Sequence, residues 1–190
     1  MTIELRAAAP TDANDMARLV DQAGEGLPQM LWQSMAAERE DVWDVGAARA
    51  RRDEGAFSWR NATVAEVDNH VAGLLIVYEI GPEPVAPSDE MPTIFRPLAD
   101  LENRALSTLY VNVLAVYPRH RQQGVARALM QRAVELAGPQ PLSLIVADGN
   151  VPARALYASL GFSETARRPV VRDGWKTDNT EWILLIRPVK

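Results

Sequence analysis

The sequence predicts an α/β protein built on a mixed central β-sheet of about six or seven strands flanked by helices. Three observations carry that expectation. From residue 107 onward, strand-like and helix-like stretches alternate in the order strand, helix, strand, helix, strand. Two further stretches, residues 61–81 and the tail around "DGWKTDN", read as hairpins that add antiparallel strands. "LSLIVA" (142–147) is almost wholly apolar, as strands covered on both faces are, and such strands are usually parallel. Helices on both sheet faces would cover it.

The elements follow in order. "IELRAA" (3–8) alternates as a short strand, and "PTDANDMARLVDQAG" leads from a turn into a helix with Ala13, Met16, Ala17 and Val20 at helical spacing, ended by Gly24 or Gly26. "LPQMLWQSMAAERE" and "WDVGAARARRDEG" predict one or two further helices carrying Leu31, Met35 and Val45 inward, with Gly46 as an interruption. "NATVAEVDNHVAGLLIVYEIG" predicts two strands around "DNH". Residues 82–97, "PEPVAPSDEMPTIFRP", are rich in proline and without period, which predicts a surface loop whose Ile94 and Phe95 dock.

"LADLENRAL" predicts a short helix, and "STLYVNVLAVYP" a strand with Tyr110, Asn112, Leu114 and Val116 on one face. Tyr110 and Asn112 give that face a polar component, the first sign of a pocket. The next helix places Val125, Leu129, Ala133 and Leu136 inward. "VPARALYASLGF" then puts Ala153, Leu156, Tyr157 and Leu160 on one stripe before a Gly161 cap.

The whole chain narrows the function classes. At 190 residues, 47% hydrophobic and 24% charged, residues 1–190 are expected to form one domain. A formal charge of −5 argues against general nucleic-acid or membrane binding. No cysteine is present, which removes thiol catalysis, thiolate metal sites and disulfides; His70 and His120 are the only imidazoles, and no metal site is expected. The N-terminal residues lack a secretory pattern and no apolar run is long enough to span a bilayer, so a cytoplasmic protein is expected.

The most informative stretch is "LAVYPRHRQQGVARALMQRAV" (114–134), where a strand stops, a glycine stands among arginines and glutamines, and a helix begins. Unpaired N–H groups at a helix start and the helix dipole suit a phosphate, and small residues at 124 and 126 keep the backbone approachable. Read by itself, Gly124 serves equally to let a helix start close to the sheet. Neither the GxGxxG fingerprint nor the GxxxxGK[ST] phosphate loop is present.

A second segment, "NVPARALYASLGF" (150–162), changes the balance. It resembles the N-x-x-A-x-x-L-Y-x-x-x-G-F segment of the GCN5-related N-acetyltransferases (GNAT superfamily). "RQQGVA" (121–126) resembles that family's R/Q-x-x-G-x-G/A signature, with Ala126 where many members have glycine. The similarity covers residues 107–162 closely and residues 3–187 loosely.

What the resemblance implies is a GNAT-like fold and an acetyl-CoA-dependent N-acetyltransferase in which a primary amine attacks the thioester directly. It places the pyrophosphate of acetyl-CoA on Gln122, Gln123, Gly124, Val125 and Ala126, with Arg121 leading. The pantetheine arm falls along the backbone of Leu114, Ala115 and Val116, Asn150 contacts the arm, and Tyr157 stands near the sulfur. Tyr157 is then the expected general acid, since a phenol can protonate a departing thiolate. The Leu114 N–H is a candidate oxyanion donor.

The base stays open among Glu102, Glu79 and Tyr110, with Glu102 preferred. The acceptor is a small-molecule or peptide amine, with residues 28–53 and 82–97 the expected specificity regions. Related proteins often pair through terminal strands, which makes a homodimer compatible with the resemblance. The alternative reading is a non-catalytic regulatory module that binds acyl-CoA.

Overall fold

Among the described residues the strands are β1 (Ile3–Ala7), β2 (Ala62–Val67), β3 (His70–Ile80), β4 (Thr108–Val116), β5 (Leu142–Ala147), β6 (Ser163–Pro169) and β7 (Glu181–Arg187). They form one mixed sheet in the order β1-β2-β3-β4-β5-β7-β6. The helices are α1 (Ala13–Ala23), α2 (Leu27–Met35), α3 (Val42–Ala50), α4 (Arg96–Glu102), α5 (Val125–Ala137) and α6 (Val151–Ser159). This is a computed structural model, and it describes residues 2–189. The chain divides into two compact units, residues 1–77 with 112–133, and residues 78–111 with 134–190.

In the first unit, β1 pairs antiparallel with β2, and β2 with β3. The β2–β3 turn is one residue shorter than the expected Asp68–His70: it consists of Asp68 and Asn69, both at positive φ, 51° and 60°, which matches the right-handed twist of the strands, and His70 already opens β3. Period two then sorts β3. Leu74 and Ile76 join the core formed with Met16, Leu19, Trp32 and Val45 of α1, α2 and α3. Gly73 faces the other way: a Cβ there would meet Val125 and Leu129 of α5 at 3.0 and 3.1 Å.

Two inward assignments in this unit need correction. Met35 is exposed and Leu31 half-buried, whereas Trp32, one residue on, is only 2% exposed. Trp32 stacks on Phe57 at 5.9 Å and meets Trp43 edge-on at 6.3 Å. Gly46 does not interrupt α3, because a Cβ at that position would lie 2.6 Å from the Trp32 ring. The glycine gives the indole its place, and that close approach is worth more than the helix propensity it sacrifices.

Arg6 of β1 ties the start of the chain to α1. Its guanidinium donates to both Asp12 oxygens, at 2.7 and 2.9 Å, and to Glu66 at 2.6 and 2.9 Å. Asp12 also accepts the Ala9 N–H at 2.8 Å, and these bonds hold its carboxyl below the usual aspartate range.

In the second unit, β4 and β5 are parallel, with Leu109 opposite Leu142 and Val111 opposite Leu144, while β5–β7 and β6–β7 are antiparallel. Leu101 and Ala105, at and just beyond the end of α4, pack with Leu184 against Ile80, Ile145 and Trp182. Residues 82–90 are exposed and Met91 is half-buried, while a short 3-10 turn at Thr93–Phe95 and α4 from Arg96 occupy the end of the anticipated loop, and Ile94 is buried. Asn103 clamps the loop by accepting the Val85 N–H and donating to its carbonyl, at 2.8 and 2.9 Å.

Leu136, expected inside, is 44% exposed, and Ala137 takes the inward place at the end of α5. The four-residue step from Val125 through Leu129 and Ala133 continues to 137. α6 ends in a Schellman closure: Phe162 N–H donates to the Tyr157 carbonyl at 3.1 Å and Gly161 N–H to Ala158 at 3.1 Å.

Candidate active site

Residues 114–126 of the first unit form the end expected to take a phosphate. Tyr117 N–H donates to the Ala72 carbonyl at 2.9 Å, which fixes the end of β4 against β3. Beyond it the chain turns through Pro118–His120 and enters α5 with Gln122 at φ 60° and Gly124 at φ 88°. The nearest atom to a Cβ on Gly124 is Ile3 Cδ1 at 3.9 Å, so the glycine answers a backbone requirement and not a steric one.

That distinction corrects the idea that Gly124 only lets the helix start close to the sheet. Left-handed residues beside a helix start turn successive N–H groups toward one side, forming an anion-binding concavity. The first N–H groups of α5, from Val125 on, add the orphan donors of any helix start. Residues 121–124 are exposed, Val125 is buried and Ala126 half-buried, so the backbone of the turn faces solvent while the helix is anchored from below. This backbone fits a diphosphate.

The neighbouring side chains have structural work as well. The Val116 carbonyl accepts from Gln22 Nε2 at 3.0 Å and from Arg121 Nε at 3.3 Å, so Arg121 braces the strand end. Gln123 Nε2 donates to the Arg119 carbonyl at 3.0 Å. Arg119 lies over the Tyr117 ring, whose hydroxyl donates to Asp15 at 2.6 Å, and His120 Nε2 accepts from Arg119 Nε at 3.0 Å. Leu114 is half-buried, Ala115 and Val116 are buried, and Asn112 is exposed.

The second unit contains the candidate acid–base residues. Tyr157, on α6, is 7% exposed, its ring 5.8 Å from that of Phe162, and burial pushes its phenol well above the usual value. The hydroxyl therefore stays protonated at neutral pH. Asn150 caps α6, its Oδ1 accepting the Ala153 N–H at 3.3 Å, a duty that the family resemblance does not require.

Glu102, at the end of α4, is brought together with Tyr110 and with a residue that the sequence reading missed, Tyr78 of β3. The Tyr78 ring packs against that of Tyr110 at 5.2 Å. Burial raises the Glu102 carboxyl above the usual glutamate range, and the neighbouring Tyr78 phenol opposes that rise. Tyr110 is almost fully buried, and desolvation, together with Glu102, Tyr78 and Tyr157, raises its phenol further. Tyr110 is thus an unsuitable proton acceptor. Glu79, by contrast, is exposed and pairs with Gln140 at 3.5 Å. Strand alternation puts it on the opposite face from Tyr78, away from this cluster. That alternation, with Tyr78 two residues from Ile80, was the signal available in the sequence.

Among the described residues no three metal-ligating side chains come together, and no helix is long and apolar enough to cross a membrane.

Fold and motifs define an acetyltransferase scaffold. The sequence profile of the Acetyltransferase (GNAT) family matches residues 28–162, and the chain belongs to that family, whose members use acetyl-CoA. No curated protein matches the sequence. Among solved structures, the chain is similar to an N-acetyltransferase from Staphylococcus aureus Mu50, with 19% identity, 96% of this chain and 99% of that one covered, and a TM-score of 0.66. It is also similar to the ribosomal-protein-S18-alanine N-acetyltransferase from Escherichia coli (18%, 100% and 95%, 0.60). A nourseothricin acetyltransferase shares 27% identity over 68% of this chain and 65% of that one, with a TM-score of 0.51.

Proposed function

We propose that residues 1–190 act as one N-acetyltransferase domain that transfers the acetyl group of acetyl-CoA to a primary amine by direct attack, in the cytoplasm. The observation that carries the reading is the pair of left-handed residues, Gln122 and Gly124, at the start of α5. They offer backbone donors to a diphosphate where the family signature lies. Acetyl-CoA supplies an acetyl carbon activated as a thioester, whose C–S bond breaks as the C–N bond to the acceptor forms.

The protein's own residues divide the remaining work. Gln122, Gln123, Gly124, Val125 and Ala126 hold the diphosphate, while the backbone of Leu114, Ala115 and Val116 and the side chain of Asn150 orient the arm. Glu102 takes the proton that the amine loses, and its raised carboxyl suits that role because a base works best with a pKa near the operating pH. Tyr157 donates its phenolic proton to the departing sulfur and regains one from solvent. Burial raises its phenol, which keeps it protonated at neutral pH and makes it a weaker acid toward the thiolate than an exposed tyrosine.

The acceptor is a small-molecule or peptide amine. The neighbours' own names include a nourseothricin acetyltransferase and a ribosomal-protein-S18-alanine N-acetyltransferase. Residues 28–53 and 82–97 set the choice, because neither segment is needed for the diphosphate site.

Calorimetric titration with acetyl-CoA, against ADP and pantetheine alone, tests the reading. Saturable binding that needs both halves of the cofactor, followed by turnover on an amine panel, is the expected result. Absence of binding by folded protein overturns it. Binding without turnover on any amine favours a regulatory acyl-CoA module instead.

A further inference from the structure

We propose that Arg119 is a further cofactor-binding residue: its guanidinium takes the 3′-phosphate on the ribose of acetyl-CoA, beside the turn that holds the diphosphate. This rests on the acetyl-CoA reading and adds a contact to it.

Arg6, Arg60, Arg104, Arg167 and Arg168 are each oriented by a carboxylate. Arg119 is held by uncharged groups instead. Its guanidinium lies over the Tyr117 ring at 5.4 Å, and its Nε donates to His120 Nε2 at 3.0 Å. The ring beneath it is fixed in turn, because the Tyr117 hydroxyl donates to Asp15 Oδ1 at 2.6 Å. A phenol face and an accepting imidazole nitrogen orient a guanidinium without cancelling its charge. Arg119 is exposed, and among the described residues no carboxylate lies within ion-pair distance of it and its two terminal nitrogens make no hydrogen bond.

The backbone places this residue against the cofactor turn. Its carbonyl accepts from Gln123 Nε2 at 3.0 Å, one residue before Gly124. Arg121, by contrast, spends its Nε on the Val116 carbonyl at the strand end, at 3.3 Å. The N–H groups of the turn and of α5 answer a diphosphate with partial charges alone. CoA carries a third phosphate, on the 3′ oxygen of the ribose whose 5′ oxygen bears the diphosphate, so a ligand seated on the turn brings a further anion close by. The two unspent nitrogens of a guanidinium form the planar fork that suits phosphate oxygens.

Calorimetric titration with CoA and with 3′-dephospho-CoA tests the contact without any acceptor. The wild-type protein is expected to bind CoA about tenfold more tightly than the dephospho form. Arg119→Gln is expected to abolish that preference while leaving the affinity for 3′-dephospho-CoA little changed. Arg119→Glu sets a like charge against the phosphate and is expected to reverse the preference.

Equal affinity of the wild-type protein for the two ligands overturns the proposal. So does a preference that survives in both variants, or a loss in Arg119→Gln that is equal for the two ligands, since Arg119 then only braces the turn. Failure of the folded wild-type protein to bind either ligand overturns the acetyl-CoA reading itself, and the 3′-phosphate contact with it.

Discussion

Asn150 accepts the Ala153 N–H at 3.3 Å and so caps α6, the helix that presents Tyr157. Asn150→Ala is therefore expected to lose about 1 kcal/mol of stability in urea denaturation through the missing cap alone. Asn150→Asp retains a capping oxygen and lacks the amide donor. If the side chain also contacts the cofactor arm, the aspartate variant keeps its stability and weakens acetyl-CoA binding in calorimetry; equal affinity leaves Asn150 as a cap only.

Gly124→Ala places a side chain at φ 88°, where space is open but the backbone is unfavourable for an L-residue. The expected cost is about 1 kcal/mol of stability. If the turn holds the diphosphate, relaxation of that φ also weakens acetyl-CoA binding about tenfold or more, an effect of about 1.4 kcal/mol. A variant that loses stability and binds unchanged removes the turn from the cofactor site.

Tyr157→Phe keeps the ring against Phe162 and removes the proton. Turnover is expected to fall by about 10²-fold or more, with the acetyl-CoA dissociation constant little changed, because the hydroxyl acts on the departing sulfur. Steady-state kinetics beside calorimetry separates the two. Unaltered kcat overturns the acid role.

Arg6 and Asp12 provide a pH dependence with a definite sign. The Asp12 carboxyl is held below its usual value in the folded protein by the Arg6 guanidinium, so its contribution is present above the unfolded value near 3.8 and is lost as pH falls through the depressed folded value. Asp12→Asn is expected to cost about 1–2 kcal/mol at pH 7 and progressively less below pH 4. Urea midpoints of the two proteins measured from pH 7 to pH 3 check this, and a constant gap contradicts it.

Local sequence determined most of the scaffold. Alternation in "STLYVNVLAV", the apolar run "LSLIVA" and the turn at Asp68–Asn69 specify strands through side-chain period and turn chemistry. Gly161 marks a helix end for the same local reason. The turn before α5 was legible because a left-handed backbone favours glycine, and the sequence carries one at 124.

Tertiary structure decided what depends on partners distant in the chain. Trp32 rather than Met35 fills the core because Gly46, on another helix, leaves room for an indole. Leu136 stays outside because the inward step of α5 continues to Ala137. Tyr78 and Tyr110 lie 32 residues apart by their numbering and bring their rings to within 5.2 Å. Glu79, one residue from Tyr78, faces the opposite way. Burial and pairing set the protonation of a carboxylate, and neither is a property of the residue or of its immediate neighbours in sequence.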